Sequence, residues 1–387
     1  MTQSHKLISV DARTLYQPTR RGIGKTLLEL YRHLAAVRPE WRFIMFHQLD
    51  VSDDPFSGIP NITHKKIDIY GDRFDFWQQI RLPLAARRAG VDLLHCPANT
   101  APRYPLVPMV VTIHDLIPME SSVSRIGRKW ANSVNGAIHR AVRIITPSEY
   151  TKRKIVERFG DWTDKIRVSP WAPVTVSCKV KDIQELSRVR AKYGLPAAGE
   201  YVLGFGAAEP RKNTRRILLA WKALPEKLQK EVRLILLGID KTAMVEFQAI
   251  IDELEISQSV ILQGFADETD LPALLSGATV ICYPSLSEGF GLPILEGFAA
   301  ETAMLSGDMT SLPEVAGDAA LLVHAEEVSA ITEGLTKLLE NEQYRADLVR
   351  KGRDRLRFFT WQACAERLAA LFEEVLNHDG GSSNGCD

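Results

Sequence analysis

Short runs of apolar and β-branched residues recur along the chain, separated by stretches whose apolar positions return every three or four residues. In the first half the runs are KLISVDA (6–12), RFIMFHQ (42–48), DLLHCP (92–97), PMVVTIHDL (108–116) and VRIITPS (142–148). Between them, KTLLELYRHLAAV (25–37) and TKRKIVERFG (151–160) carry helical periodicity. The pattern pauses over a Pro- and Lys-containing connection near 170–185. It restarts with YVLGFGA (201–207), VRLILLGI (232–239), SVILQGF (259–265), TVICYPS (279–285), TAMLSGD (302–308) and AALLV (319–323). Continuous apolar strands alternating with helices predict parallel sheets covered on both faces, and the restart predicts two such units. Ligands of open α/β sheets bind beyond the carboxyl ends of the strands, so a cleft between two facing units is the expected site. The stretch WQACAERLAALFEEVL (361–376) is a long amphipathic helix, followed by the tail DGGSSNGCD (379–387).

Composition agrees with this division. A chain of 387 residues, 45% hydrophobic and 25% charged, suits two soluble globular domains. The longest apolar stretch, PLVPMVVTI (105–113), reads as a buried strand and is too short to span a membrane. The start, MTQSHKLISVDART, lacks the apolar core of a signal peptide. Cys96, Cys178, Cys282, Cys364 and Cys386 are scattered and form no CxxC, which argues against disulfides and a zinc site. A cytoplasmic protein is expected. The net charge of zero hides an asymmetry: residues 1–175 hold 26 Lys and Arg against 16 Asp and Glu, a balance of +10. Either surface charge simply varies, or the basic half meets an anionic partner: nucleic acid, a membrane surface or a phosphate-bearing substrate.

The chemistry gathers where strands end. In SEGFGLPILEG (287–297), Glu288 and Glu296 flank a glycine-rich helix start with Pro293 in its first turn. Gly289 and Gly291 let backbone N–H groups approach an anion, which a helix N-terminus favours. A lone glutamate there is ordinary capping. The whole string suits a ligand with both phosphate and hydroxyls, a sugar nucleotide. In GFGAAEPRKNT (204–214), Arg211 and Lys212 precede Asn213, a good N-cap, and suit a departing diphosphate; a solvated basic loop is the plain alternative. The dinucleotide fingerprint fails, because Glu209 stands where its third glycine belongs. His114 and Asp115 end VVTIHDLIP (110–118), where a satisfied structural pair is the alternative. RRGIGKT (20–26) has Thr19 where a P-loop requires its first glycine, so Gly22 and Gly24 read as a helix-start turn. Ser148, in ITPSEYT (145–151), sits at another strand end, where an N-cap is the alternative. No D-x-D occurs, so the usual carboxylate pair for a metal-bound diphosphate is missing.

In order and spacing, RRGIGKT, VVTIHDL, ITPSEYT, GFGAAEPRKN, PSLSEGFGLPILEGFA and SLPEVAGDAALLV (311–323) resemble the retaining glycosyltransferases of the GT4 type. The resemblance covers roughly 6–375. It implies the GT-B fold of two facing Rossmann-like domains: an acceptor domain at 1–175, a nucleotide-sugar domain at 195–360, and a helix at 361–378 crossing back to the first. Arg211 and Lys212 would contact the donor diphosphate, with Gly206 lining the cleft. The backbone of Gly289, Phe290, Gly291 and Leu292 would face the donor. Glu296 would bind ribose hydroxyls and Glu288 those of the transferred sugar. His114 would lie beside the reacting sugar with Ser148 nearby, and Gly24 next to the donor phosphate. The implied reaction retains configuration by front-face attack, needs neither metal nor other cofactor, and takes a nucleotide sugar as donor. One departure is Lys25–Thr26, where many relatives have Arg and an aromatic residue.

The look is closest to bacterial mannosyltransferases of O-antigen or exopolysaccharide assembly, which favours GDP-mannose, with a UDP-sugar next. The acceptor is expected to be a saccharide, lipid-linked if the basic half works at the inner face of the cell membrane. DRFDFWQQIRLPLAARRAG (72–90) bears on this and fits two arrangements: a helix packed on its own sheet, the commoner case, or a helix lying on an anionic membrane. Other GT-B enzymes, a P-loop NTPase and a non-catalytic anion binder are the competing readings. Nucleic-acid binding is not expected, because no recognition motif accompanies the charge.

Overall fold

The computed structural model describes residues 5–378 apart from 19, 21, 69–75 and 120–124. It divides into two compact units, residues 1–172 with 360–387, and residues 173–359. Each is an α/β unit with one parallel sheet.

The first sheet contains β1 (Leu7–Asp11), β2 (Arg42–His47), β3 (Ile62–Lys66), β4 (Leu93–Cys96), β5 (Met109–Thr112), β6 (Arg143–Thr146) and β7 (Ile166–Val168). Their order is β3-β2-β1-β4-β5-β6-β7, with Val10 opposite both Met45 and His95. The second sheet contains β8 (Glu200–Phe205), β9 (Val232–Leu237), β10 (Val260–Leu262), β11 (Val280–Tyr283), β12 (Ala303–Gly307) and β13 (Leu321–Val323). Their order is β10-β9-β8-β11-β12-β13, with Leu203 between Ile235 and Ile281. Ile8, Val10, Leu93 and Leu94 are fully buried, as are Val202, Leu203, Leu234 and Ile281. Burying one such side chain stabilises by about 1.5–3 kcal/mol, so the central strands dominate each core.

The second sheet's six strands all coincide with predicted runs. In the first sheet, β3 and β7 were not among the predicted strands. β3 (ITHKK) buries only Ile62 and exposes the rest, as an edge strand does, and β7 has only three residues. The segment from Phe76 runs through a π-helical turn, Trp77–Arg81, into the helix Leu82–Arg88; residues 72–75 lie outside the described part. Its inner face, with Trp77, Leu82 and Ala86, packs into the first unit's core. Its outer face exposes Phe76, Ile80 and Leu84, at 54%, 46% and 37%.

The helix Trp361–His378 belongs to the first unit. The Phe372 ring lies 6.4 Å from Trp41 and 5.5 Å from His95. Glu373 pairs with Arg38 at 2.8 Å and Glu374 with Arg143 at 2.5 Å. Residues 379–387, including Cys386, lie outside the described part.

Candidate active site

Strand order in the second sheet reverses between β8 and β11: β9 and β10 lie on one side, β12 and β13 on the other. Loops diverge there, which opens a crevice at the carboxyl ends. After β8 the chain makes a short 3-10 turn, Pro210–Lys212; after β11 it runs through Ser285 to Glu288. Lys212 Nζ donates to Glu288 Oε1 at 2.7 Å and Arg211 donates to the same oxygen at 2.9 Å. The Ser285 hydroxyl lies 2.7 Å from that oxygen and 2.9 Å from the Arg211 carbonyl. The Tyr283 hydroxyl lies 3.2 Å from Lys212 Nζ. Thus Arg211, Lys212 and Glu288 form one cluster.

Its charge state follows from the geometry. Burial pushes the Glu288 carboxyl up, but Lys212 and Arg211 outweigh burial and hold it below the ordinary glutamate value. Burial likewise lowers Arg211, and Glu288 and Glu209 more than offset it. Burial first, and the nearby Glu288 second, raise Tyr283 well above an ordinary phenol. Two cations therefore stand at the crevice, joined by Glu288, with Glu209 a second partner of Arg211.

The glycines fit the cluster around them. Gly291 has a φ of 107° and precedes the helix Leu292–Ala299; a Cβ there would also stand 2.8 Å from Leu312. Ser311 secures this loop, its hydroxyl 2.8 Å from the Glu288 carbonyl and 2.9 Å from that of Phe290. Gly289 and Phe290 are buried, and Leu292 is half-buried. A Cβ on Gly206 would press on Ile239 at 2.9 Å. Asn213 stands at the N-cap position of the helix Thr214–Lys222, but its side chain does not cap. It adopts a φ of 62° and donates to the carbonyls of Pro284 and Ala325, at 2.9 and 2.7 Å.

Glu296 stands apart from that cluster. Its carboxylate accepts the backbone N–H groups of Val174 and Thr175 on Oε1, at 2.7 and 2.8 Å, and of Val176 on Oε2, at 2.7 Å. Both its oxygens are thus engaged by the start of the second unit.

In the first unit His114 donates Nε2–H to the Pro97 carbonyl at 2.7 Å, and its own N–H donates to Asn99 Oδ1 at 2.6 Å. Burial lowers its imidazole to about 4 despite that carbonyl, so the ring is neutral near pH 7. Ser148 caps the helix Glu149–Phe159 by accepting from the Thr151 N–H at 3.0 Å, and Thr151 donates to the His114 carbonyl at 3.2 Å. Gly24 lies in the first turn of the helix Gly22–Val37, where a Cβ would collide with the Thr14 carbonyl.

Sequence reasoning missed one group in this unit. The first sheet reverses between β1 and β4, and there Arg13 grips Asp11 with both arms, at 2.8 and 2.7 Å. Gln78 Nε2 donates to Asp11 and to the Thr100 carbonyl, each at 3.1 Å. The signal was present: Asp11 ends the first apolar run. Among the described residues, no group of three His, Cys, Asp or Glu stands together as a metal site, and no helix is long and apolar enough to cross a membrane.

Two Rossmann-like parallel sheets, one in each unit, are the architecture of the GT-B fold. Residues 20–171 match the model described as Glycosyltransferase Family 4, and residues 187–355 match Glycosyl transferases group 1. The first unit thus carries a family 4 glycosyltransferase domain and the second a group 1 glycosyl transferase domain. The chain is 28% identical over 362 residues to the O-antigen chain mannosyltransferase B of Escherichia coli, covering 89% of this chain and 93% of that protein. It is 26% identical over 274 residues to a serotype-specific mannosyltransferase of E. coli, covering 69% of this chain but only 33% of that longer protein. Its fold is that of a sucrose-phosphate synthase from Thermosynechococcus elongatus, with a TM-score of 0.77 at 18% identity over 97% of this chain and all of that one.

Proposed function

We propose that the enzyme transfers mannose from GDP-mannose to a saccharide acceptor, lipid-linked, in the assembly of a cell-surface polysaccharide, with retention of anomeric configuration and without a metal. The observation that carries the reading is the Arg211–Lys212–Glu288 cluster at the reversal of the second sheet. The cations are in place before the donor arrives. They favour the diphosphate most as the glycosidic bond breaks and its charge grows. The phosphate oxygen that leaves then accepts the proton of the attacking hydroxyl on the same face. His114, neutral, is the candidate for orienting the sugar, and the glycine-rich turn at 289–292 for the donor's approach. The mannose assignment is supported by the names of the E. coli relatives.

The test is thermal shift against GDP, UDP, ADP and their sugars, followed by product analysis with the stabilising donor. A nucleotide sugar at about a hundred times its Kd stabilises by about 2.7 kcal/mol. GDP-mannose is expected to stabilise most. A larger shift with UDP-glucose would reassign the donor, and no shift with any nucleotide sugar would overturn the reading.

A further inference from the structure

A cavity of about 570 Å³ lies within the first unit, beside the reversal of its sheet. Its apolar lining includes Ile80, Ala101, Tyr104 and Trp130. Its charged residues are Arg103 and Lys129, and the described lining residues include no carboxylate. Gln79, Thr100, Asn132 and Ser133 add neutral polar groups; the apolar wall with two cations suits an apolar chain ending in an anion.

Two further features show a built site. Gln78 ties its helical segment to Asp11 and to the Thr100 carbonyl. The adjacent Gln79 donates to the Ala101 carbonyl at 3.1 Å and accepts the Arg103 N–H at 2.7 Å, which fixes the loop that carries Arg103. Second, Gly136 lines the cavity from inside the helix Arg125–Arg140, where glycine is unfavourable relative to alanine. No packing requires it, because a Cβ at Gly136 would meet nothing within 4 Å. The missing side chain leaves space. Ile80, which lines the cavity, is exposed on the same helical segment as Phe76 and Leu84.

We infer that this cavity binds a single-chain lipid phosphate, the apolar chain against Trp130 and Ile80 and the phosphate at Arg103 and Lys129. The inference rests on the transferase reading only in naming the ligand's source, the lipid carrier of the acceptor saccharide.

The experiment is isothermal titration of the full-length protein with farnesyl phosphate below its aggregation limit, with farnesol and inorganic phosphate as separate arms. Farnesyl phosphate is expected to bind, farnesol more weakly, and inorganic phosphate without detectable heat. Gly136→Leu fills the space and is expected to abolish binding, with Gly136→Ala retaining it. Arg103→Gln with Lys129→Gln, at exposed positions, is expected to weaken farnesyl phosphate about tenfold and leave farnesol unchanged. Wild-type protein that ignores farnesyl phosphate, or a folded Gly136→Leu variant that binds it normally, would overturn the inference. Transfer to a water-soluble acceptor is measured alongside. Transfer without farnesyl phosphate binding sinks the cavity alone; binding without transfer from any sugar nucleotide sinks the transferase reading alone.

Discussion

Glu288 Oε1 and Lys212 Nζ lie 2.7 Å apart on loops that leave the neighbouring strands β11 and β8. Glu288→Gln removes the charge that reconciles Lys212 with Arg211, and should destabilise the ligand-free second unit by about 1–3 kcal/mol, the cost of leaving partly buried donors without their acceptor. On the proposed reading a bound diphosphate supplies negative charge at the same place, so GDP should raise the Tm of the variant more than that of the wild type. Transfer should fall sharply. Equal nucleotide shifts in the two proteins would show that Glu288 does not offset the cations. The pH dependence has a definite sign. Glu288 is held below its ordinary value of 4.5, so its contribution to stability is present above that pH and is lost as pH falls through the folded value.

Lys212→Ala should act on kcat more than on donor affinity, because diphosphate charge grows toward the transition state. Loss of one such donor costs about 10²–10³ in rate. Steady-state kinetics with a varied donor checks this; an unchanged kcat would return Lys212 to the surface.

Transfer should continue in excess EDTA if, as proposed, the cations at 211 and 212 take the role a metal has elsewhere. Abolition by EDTA with recovery in Mg²⁺ or Mn²⁺ would contradict that role.

His114 and His95 should stay neutral well below pH 6.5, because burial lowers them to about 4 and about 3. Imidazole NMR shifts for both should be flat from pH 8 to pH 5. The unfolded chain takes up protons at 6.5 and the folded one does not, so these histidines make stability fall as pH drops from there toward 4. Titration of either ring near pH 6.5 in the folded protein would contradict the burial argument.

Arg81, Arg87 and Arg88 are exposed on the helical segment that also exposes Phe76, Ile80 and Leu84. Each cation near an anionic leaflet contributes about 1 kcal/mol, screened by salt. Neutralising the three should weaken binding to anionic vesicles at low salt and leave transfer to a soluble acceptor largely intact. Wild-type protein that ignores such vesicles would confine this segment to packing.

The strands legible in the sequence were those with continuous apolar runs, because burial on both faces excludes polar residues from them. β3 carries His64, Lys65 and Lys66 at a sheet edge and gives no such signal. The cluster of Arg211, Lys212 and Glu288 could be nominated because each residue lies just beyond a recognisable strand. That all of them meet at one carboxylate oxygen depends on the order of strands, which no local pattern states. Glu296 illustrates the limit further: its amide partners are 120 to 122 positions away. Asn213 has the right residue type for a cap, yet its amide is drawn to two carbonyls that only tertiary folding brings near.

Trp361–His378 completes the first unit, although it leaves the ribosome only after all of residues 173–359 have been made. Until then the surfaces that will meet Phe372, Trp41 and His95 among them, wait uncovered, and Arg38 and Arg143 lack their glutamates. The unit made first is therefore finished last. Released chains truncated after residue 359 should carry a folded second unit beside a chaperone-dependent first one, and the order of birth is the reverse of the order of completion.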